Sequence, residues 1–367
     1  MISELEIVGF KRFQRQSFDL APLTILAGLN GTGKTSFIQA LLIAWEASSE
    51  SAGKVVRLNG PFGLDLGTAE DVRNWKTDGL IEFHVKSAPG STSVWKFEIP
   101  SDDALYLKVI EKPEPRPAVF REQARAFSYL CAERLGPRSS LGTSPLPVDA
   151  LEIGSRGEYC AQLLSTLGNE VLGDSNRMHP EAESPVLLLK YQVEQWLAEI
   201  TRPIELDAVW YPGTAFTALR FRSPGGDWVR APNMGFGVSY SLPIILAGLT
   251  ARSDGLMIVE NPEAHLHPAG QSRMGVFLAW LAAHGVQVIV ETHSDHVLNG
   301  IRRGIGEHNF LKHDSAIVHF FESLESDEPK VHKLDFTPIG GVSHWPPGFF
   351  DQYQIDVASL GRIRRRS

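Results

Sequence analysis

Residues 28–35 of the chain read GLNGTGKT. This stretch follows an apolar run at 25–27 and precedes a segment with helical periodicity at 36–45, which together predict a strand, a glycine-rich loop and a helix. Glycine adopts backbone conformations that let successive N–H groups point at one anion, and the following helix adds the positive end of its dipole. The stretch matches the pattern of a phosphate-binding loop at every defined position.

The side chains of this loop predict a bound nucleotide and a metal ion. Lys34 would reach the β- and γ-phosphates, and the hydroxyl of Thr35 would be a ligand of Mg²⁺. The residues expected to hold the nucleotide here are Asn30, Gly31, Thr32, Gly33, Lys34, Thr35 and Ser36.

The composition of the 367 residues excludes several classes of protein. With 43% hydrophobic residues the chain can bury a sizeable core, which excludes whole-chain disorder. It has no apolar run of about 18 residues, so we expect no membrane span. The opening MISELEIVGF does not have the pattern of a signal peptide, and two cysteines are too few for a disulfide framework, so we expect a cytoplasmic protein. The formal charge of −8 leaves DNA binding unsupported.

The last third of the chain alternates between apolar strands and helices. Residues 256–260 and 286–291 predict buried strands, and 269–284 and 295–303 predict helices. Near-continuous apolar strands separated by helices are typical of a parallel sheet that is covered on both faces.

The earlier part of the chain has other patterns. Residues 3–9 and 18–27 predict strands around a basic turn that contains Lys11, Arg12 and Arg15. The further predictions are antiparallel strands over 54–110, a strand at 127–132, mostly helix over 157–200 with a loop near 173–185, a strand pair at 205–211 and 216–222, and a helix at 238–250.

Both apolar strands of the last third end in acidic residues. Glu260 closes the first strand, as in a Walker B element, whose carboxylate holds Mg²⁺ directly or through water. Glu291 closes the second strand, and His293 follows it. A histidine just beyond a parallel strand, beside the phosphate-binding loop, is placed to sense a γ-phosphate.

Four segments carry a family resemblance: GLNGTGKTS at 28–36, MGFGVSYS at 234–241, IVENPEAHLHP at 258–268 and VETHSDHVL at 290–298. With them the chain resembles ABC-type P-loop ATPases of the SMC/RecF branch, and is similar to prokaryotic AAA-family ATPases of the overcoming-lysogenization-defect (OLD) type. Weaker similarity covers AERLGPR at 132–138 and the tail WPPGFFDQ at 345–352, which looks like a C-terminal module of unknown function.

The resemblance implies an α/β fold, a P-loop NTPase of the ABC-type ATPase-head class. We expect an N-terminal lobe at 1–115 with the phosphate-binding loop and antiparallel strands, a helical insertion at 116–205, and a C-terminal lobe at 206–367. The interrupted insertion does not have the heptads of an SMC arm, and the chain does not have the acidic pattern of the nuclease that many OLD proteins carry.

The resemblance also implies the role of each site residue. ATP and Mg²⁺ are the cofactors, Thr35 and Glu260 the metal ligands, and His293 the switch histidine that contacts the γ-phosphate. Gly235, Gly237 and Ser239 stand where the family has the signature motif, which caps the γ-phosphate of a second subunit in an ATP-sandwiched dimer.

Two departures from the family pattern affect catalysis. Asn261 stands where the family usually has the glutamate that activates water, and an amide cannot accept that proton. Glu263 is the replacement we favour, Glu291 is another, and slow or absent hydrolysis is the third reading. No glutamine follows the strand at 127–132. In its place Glu133 and Arg134 would contact the metal shell or a phosphate, or form a salt bridge at the strand end.

The resulting hypothesis is an ATP-hydrolysing homodimer that switches a separately encoded effector or a DNA-associated complex, a role that similar proteins have in bacterial antiphage defence. One alternative is the nucleotide-binding subunit of a transporter, which the absence of a Leu-Ser-Gly-Gly-Gln signature disfavours. Another is an ATP-dependent scaffold without turnover.

Overall fold

The computed structural model describes residues 1–49, 54–87, 90–182, 186–211, 213–322 and 329–364. The strands in these ranges are β1 Ile2–Phe10, β2 Phe13–Asp19, β3 Leu23–Gly28, β4 Val55–Arg57, β5 Ile81–Ser87, β6 Ser91–Glu98, β7 Tyr106–Glu111, β8 Phe127–Leu130, β9 Leu141–Gly142, β10 Glu205–Trp210, β11 Phe216–Arg222, β12 Val229–Arg230, β13 Leu256–Glu260, β14 Gln287–Thr292, β15 Ala316–Phe321 and β16 Val331–Asp335. The helices are α1 Lys34–Ser48, α2 Ala69–Val72, α3 Cys160–Leu167, α4 Leu189–Ile200, α5 Phe236–Thr250, α6 Pro268–Ala283, α7 Asp295–Gly306 and α8 Gln352–Arg364.

A six-stranded central sheet has the order β16-β15-β3-β14-β13-β8, and every neighbouring pair in it is parallel except β15 with β16. Every residue of β13, β14 and β15 is buried, because both faces of the sheet are covered. The sheet confirms the predicted parallel arrangement. It also places β14 between β3, which leads into the phosphate-binding loop, and β13.

The two faces of the central sheet pack against different layers. On one face α1 lies between the sheet and an antiparallel sheet of order β2-β1-β5-β6-β7-β4. Helix α1 is apolar almost all round, as expected of a helix that is covered on several sides. The other face packs against α3 to α7, and a small sheet of β9 to β12 joins this second core.

The N-terminal hairpin differs from the predicted arrangement. Strand β1 pairs with β2 from Glu4 with Asp19 to Phe10 with Phe13, so only Lys11 and Arg12 form the turn. The prediction was wrong in placing Arg15 in that turn, since it lies within β2 and pairs with Glu6 at 2.8 Å. Strand β2 is the edge of its sheet and exposes polar side chains, which is why its sequence has no continuous apolar pattern.

Most of the remaining predicted elements agree with the structure at the level of strand and helix. The predicted strand at 18–27 was wrong in its bounds, since β2 ends at Asp19 and β3 begins at Leu23. The prediction of mostly helix over 157–200 was also wrong, since the α-helices described there are only α3 and α4, and α3 ends before Gly168.

Strand β8, inside the range expected to be a helical insertion, forms the edge of the central sheet. The lobe boundaries themselves stay a prediction. Cys131 and Cys160 are free thiols. Among the described residues, no helix combines the length and apolarity that crossing a membrane requires.

Helices α6 and α7, which follow β13 and β14, cross at unusually close range. A Cβ built on Gly300 would lie 1.8 Å from the carbonyl oxygen of Ser272, and one on Gly275 would lie 2.2 Å from that of Val297. The two glycines therefore let the backbones touch, and this contact fixes the two strand ends that the helices extend.

Gly300→Ala is expected to destabilise the protein by about 1–3 kcal/mol or more, because the added methyl group must separate the two backbones. Urea denaturation of purified protein measures the change. Gly79→Ala is the matched control, since a Cβ there meets nothing within 4 Å. Equal stability of the two variants would contradict the close crossing of α6 and α7.

Candidate functional site

The loop at 28–35 has the backbone that its glycines predict. Gly28 has φ 132° and Gly33 has φ 118°, both in the region that favours glycine. A Cβ on Gly28 would also lie 2.2 Å from the carbonyl oxygen of Phe321 on β15. Gly33 immediately precedes α1 and directs the N-terminus of that helix toward the loop.

The Lys34 ammonium folds back over the loop. Only 2% of this residue is exposed, and its Nζ donates to the carbonyl oxygens of Gly28 at 3.0 Å and Leu29 at 2.5 Å. Burial lowers the pKa of Lys34, and the Glu291 carboxylate, 3.8 Å away, opposes that shift. A buried cation held mainly by neutral carbonyls is suited to an incoming phosphate, which is a stronger acceptor.

Two buried carboxylates lie side by side at the C-terminal ends of β13 and β14. Glu260 and Glu291 are register partners on these strands. The Thr35 hydroxyl lies 3.3 and 3.4 Å from the two oxygens of Glu291. Burial, followed by the charge of Glu260, raises the pKa of Glu291 to about 7 against the opposing effects of Lys34 and Thr35.

Glu260 is anchored to β8 and to the residues after it. Its Oε1 accepts from the Tyr129 hydroxyl and its Oε2 from the Ala132 amide, each at 3.0 Å. Burial raises the pKa of Glu260, while these two hydrogen bonds oppose the shift. The carboxylate is therefore oriented by β8 and the residues that follow it.

The oxygen donors Thr35, Glu260 and Glu291 fit Mg²⁺, a hard cation usually held by one or two carboxylates together with substrate phosphates and water. Among the described residues there is no group of three or more histidine, cysteine or acidic side chains that would hold a metal alone. The donor set thus suits an ion that arrives with a nucleotide. Sequence reasoning treated Glu291 only as a candidate base, because its contact with Thr35 depends on the strand order.

Two of the three residues predicted to act in catalysis, Glu263 and His293, meet at the end of β14, and the third is Glu260. Glu263 accepts from the Thr292 hydroxyl and from the backbone N–H of His293, both at 2.8 Å. The His293 side chain is only partly buried and lies beside the backbone of Gly28. Burial, followed by the charge of Lys34, lowers the pKa of His293, so the neutral ring predominates at pH 7.

A cavity of about 460 Å³ opens beside the loop and is large enough for part of a nucleotide. Lys11 and Arg12 of the hairpin turn line it, whereas Arg15 does not. Four further lining residues come from the segment around α2. Sequence reasoning missed them because they carry no recognisable motif: Glu70, Asp71, Arg73 and Trp75.

The residues of the signature segment lie around the start of α5. Gly235 precedes the helix with φ 96°, Gly237 abuts the carbonyl of His265, and Ser239 is half-buried. Gly235 and Gly237 line a separate cavity of about 300 Å³. In the described chain, none of these three residues lines the cavity beside the phosphate-binding loop.

The region after β8 differs from both readings of the sequence. The Arg134 side chain donates to the carbonyl oxygens of Cys131, Glu260 and Asn261, so within the described residues it reaches neither the phosphate-binding loop nor a carboxylate. Glu133 is exposed and lines a cavity beside α5 instead. Local sequence did not predict this, because the carbonyls of Glu260 and Asn261 belong to a turn more than a hundred residues away.

Three segments of the chain match protein families. Residues 4–83 match a family described as an AAA domain, and residues 161–299 match one described as "AAA domain, putative AbiEii toxin, Type IV TA system". Residues 311–360 match a family described as "Protein of unknown function (DUF3696)". No curated protein matches the chain.

Solved structures of SMC head domains are similar to this chain. The head domain of Pyrococcus furiosus, solved with an extended coiled coil and bound to the C-terminal domain of ScpA, superposes with a TM-score of 0.50 at 12% identity, covering 99% of both chains. The Thermotoga maritima head domain has a TM-score of 0.45 at 12% identity and covers 90% of this chain and 98% of its own. A head bound to the C-terminal winged-helix domain of ScpA has a TM-score of 0.46 at 13% identity, with coverage of 91% and 97%.

The fold is thus that of an SMC-type ATPase head, and the predicted P-loop NTPase class is confirmed. The AAA-domain matches likewise confirm the resemblance to SMC-like AAA ATPases.

Glu291→Gln is expected to reduce the Mg²⁺-dependent gain in ATP affinity about 10-fold, because a neutral amide replaces a carboxylate beside Thr35. Binding in excess EDTA should change little. Titration with a fluorescent ATP analogue, with Mg²⁺ and with EDTA, measures both quantities.

Glu46→Gln is the matched control for this experiment. Glu46 is a buried carboxylate on α1, the helix that carries Thr35, but it lies toward the far end of that helix and pairs with Arg57 at 3.1 Å. An unaltered Mg²⁺ dependence in Glu291→Gln would contradict the placement of Glu291 beside the metal ion.

Proposed function

We propose that the protein binds ATP with Mg²⁺ at the 28–35 loop and hydrolyses it. One observation carries the proposal: a buried Lys34, the Thr35 hydroxyl and the carboxylates of Glu260 and Glu291 converge at one edge of a parallel sheet, where α1 begins. This arrangement supplies an anion cradle, a cation and oxygen ligands at a single point.

Each residue of the site has a separate task in this proposal. The loop amides and Lys34 hold the phosphates, while Thr35, Glu260 and Glu291 hold Mg²⁺ directly or through water. When bound, Mg²⁺ neutralises negative charge on the phosphate oxygens. Hydrogen bonds from Thr292 and His293 orient Glu263, which accepts a proton from the attacking water, and the His293 ring contacts the γ-phosphate.

We further propose that two copies enclose two ATP molecules. Gly235, Gly237 and Ser239 would bind the nucleotide of the second copy, since they lie outside the cavity beside the loop of their own chain. The backbone N–H groups of the two glycines and the Ser239 hydroxyl, at the start of α5, would donate to an anion. Closure on ATP and opening after hydrolysis would then act as the switch.

The ATP-bound dimer is proposed to act on a separately encoded effector protein. The Pyrococcus furiosus head domain was solved bound to the C-terminal domain of ScpA, a precedent for a protein partner on this fold. The net charge of −8 favours a protein over DNA as the first contact. We also propose that the protein is related to OLD proteins and acts in antiphage defence.

A scaffold that binds ATP without turnover is the second candidate. It is favoured by Asn261, whose amide stands where a carboxylate would accept a proton.

Lys34→Ala is expected to lower ATP turnover about 100-fold or more and to weaken ATP binding, because it removes the buried cation that faces the phosphates. Phosphate release by the purified protein with Mg²⁺ and ATP measures the change. Lys333→Ala is the control, because Lys333 is a half-exposed lysine that pairs with Asp19 at 2.7 Å. Equal turnover in Lys34→Ala and the wild type would overturn the nucleotide site.

Glu263→Gln is expected to lower kcat about 100-fold while the Kd for ATP changes little, because the amide cannot accept the proton from water. ATP-bound protein should then accumulate as a dimer, which size-exclusion chromatography with light scattering detects.

Glu307→Gln on α7 is the control, since Glu307 is exposed and pairs with Arg303 at 2.7 Å. Unchanged turnover in Glu263→Gln would exclude Glu263 as the base. A monomer at saturating ATP would contradict the sandwiched dimer, and a wild type that binds ATP without turnover would favour the scaffold.

A further inference from the structure

Arg134 is a buried arginine that binds the backbone of the turn that follows β13, here called the Walker B turn (residues 260–263). Only 2% of the residue is exposed. Its Nη1 donates to the carbonyl oxygen of Glu260 and its Nη2 to that of Asn261, each at 2.6 Å, and Nη1 also reaches the carbonyl of Cys131 at 2.9 Å. One planar guanidinium thus spans two consecutive carbonyls of the turn.

The charge of Arg134 has no carboxylate partner at salt-bridge distance among the described residues, and its Nε is buried without a hydrogen-bond partner. Burial lowers the pKa of the guanidinium, but an arginine remains charged in proteins. Glu263 and Glu260 act on this charge only from beyond salt-bridge distance, and burying a cation mainly against carbonyl oxygens is unfavourable compared with an apolar side chain. Stability therefore does not account for an arginine at this position.

The turn that Arg134 holds determines where Glu263 lies. Asn261 has φ 43°, which only a few residue types adopt readily, and its N–H donates to the carbonyl of Glu291 at 2.9 Å. Pro262 and Glu263 follow, and the Glu263 carboxylate then reaches Thr292 and His293. Releasing the carbonyls of Glu260 and Asn261 would let this carboxylate shift.

The same guanidinium contacts the helix that begins in the signature segment. It lies 5.7 Å from the centroid of the Tyr240 ring on α5. The centroids of the Tyr240 and His265 rings are 4.4 Å apart, and the His265 ring stacks on that of Phe236 with 5.0 Å between centroids. Phe236 lies between Gly235 and Gly237, so a continuous set of contacts joins the start of α5 to the Walker B turn.

We propose that Arg134 is a positioning residue that couples the start of α5 to Glu263 and His293, and so sets the rate of ATP hydrolysis without contributing to ATP affinity. This inference rests on the proposed ATPase activity. When the nucleotide of a second copy contacts α5, the resulting shift of the helix is transmitted through Tyr240 and Arg134 to Glu263 and His293.

Arg134→Lys is the decisive variant. A lysine keeps the charge and the buried stem, but its single amine cannot span both carbonyls in one plane. We expect kcat to fall about 10- to 100-fold, the range for a displaced catalytic group, while the Kd for ATP changes less than about twofold. Tyr240→Leu removes the ring contacts with Arg134 and His265 but leaves the hydrogen bonds of Arg134 in place, so it should lower kcat by a smaller factor.

Arg177→Lys is the matched control. Arg177 is also fully buried and also donates to backbone carbonyls, those of Ala251 and His284, but these follow the C-terminal ends of α5 and α6, away from the loop. We expect this variant to lose thermal stability and to keep its kcat per folded molecule.

Chemical rescue separates positioning from folding. In Arg134→Ala, millimolar guanidinium should restore part of the lost kcat, and the same addition should leave Arg177→Ala unchanged. Wild-type kcat in Arg134→Lys, or an equal fall of kcat in Arg177→Lys, would overturn the inference. A wild type without any turnover would overturn the proposed function, and this inference with it.

Discussion

Two buried carboxylates in register on adjacent parallel strands are the constraint on which this site depends. Glu260 and Glu291 are 8% and 6% exposed, and the ammonium of Lys34 lies near only the second. Two neighbouring negative charges out of water raise each other's free energy unless cations or donors compensate them. The Tyr129 hydroxyl, the Ala132 amide, Thr35 and Lys34 provide part of that compensation. A divalent cation that enters with a nucleotide would supply the rest, so the site is arranged to gain from Mg²⁺.

The surrounding structure keeps these charges in place. Glycine contacts between α6 and α7 fix the two helices that extend β13 and β14. The turn after β13 directs Glu263 back to the end of β14, so that the residues proposed to act in hydrolysis share one small region with the proposed metal ligands. Arg134 braces that turn from the side of α5. We therefore expect a substitution in the α6–α7 contact, in the turn after β13 or at Arg134 to change the position of the site residues, although none of these supports needs to contact the nucleotide.

Much of this arrangement could be predicted from the sequence because its signals are local. The glycine pattern at 28–35 and the apolar run ending in Glu260 depend only on neighbouring residues, and so do the helices of the last third. The position of β14 between β3 and β13 is not local, and it alone places Glu291 against Thr35. The contacts of Arg134 could not be predicted for the same reason, since its partners are backbone carbonyls that carry no sequence signal. Most of strand β2 could not be recognised from the sequence, because an edge strand exposes polar residues and has no continuous apolar pattern.

The most direct measurement is a structure of the protein with Mg²⁺ and a non-hydrolysable ATP analogue. The account predicts that the triphosphate lies in the 28–35 loop with Lys34 on its phosphates, and that the metal ion contacts Thr35 on the side of Glu260 and Glu291. A nucleotide bound elsewhere, or a metal ion remote from both carboxylates, would contradict it.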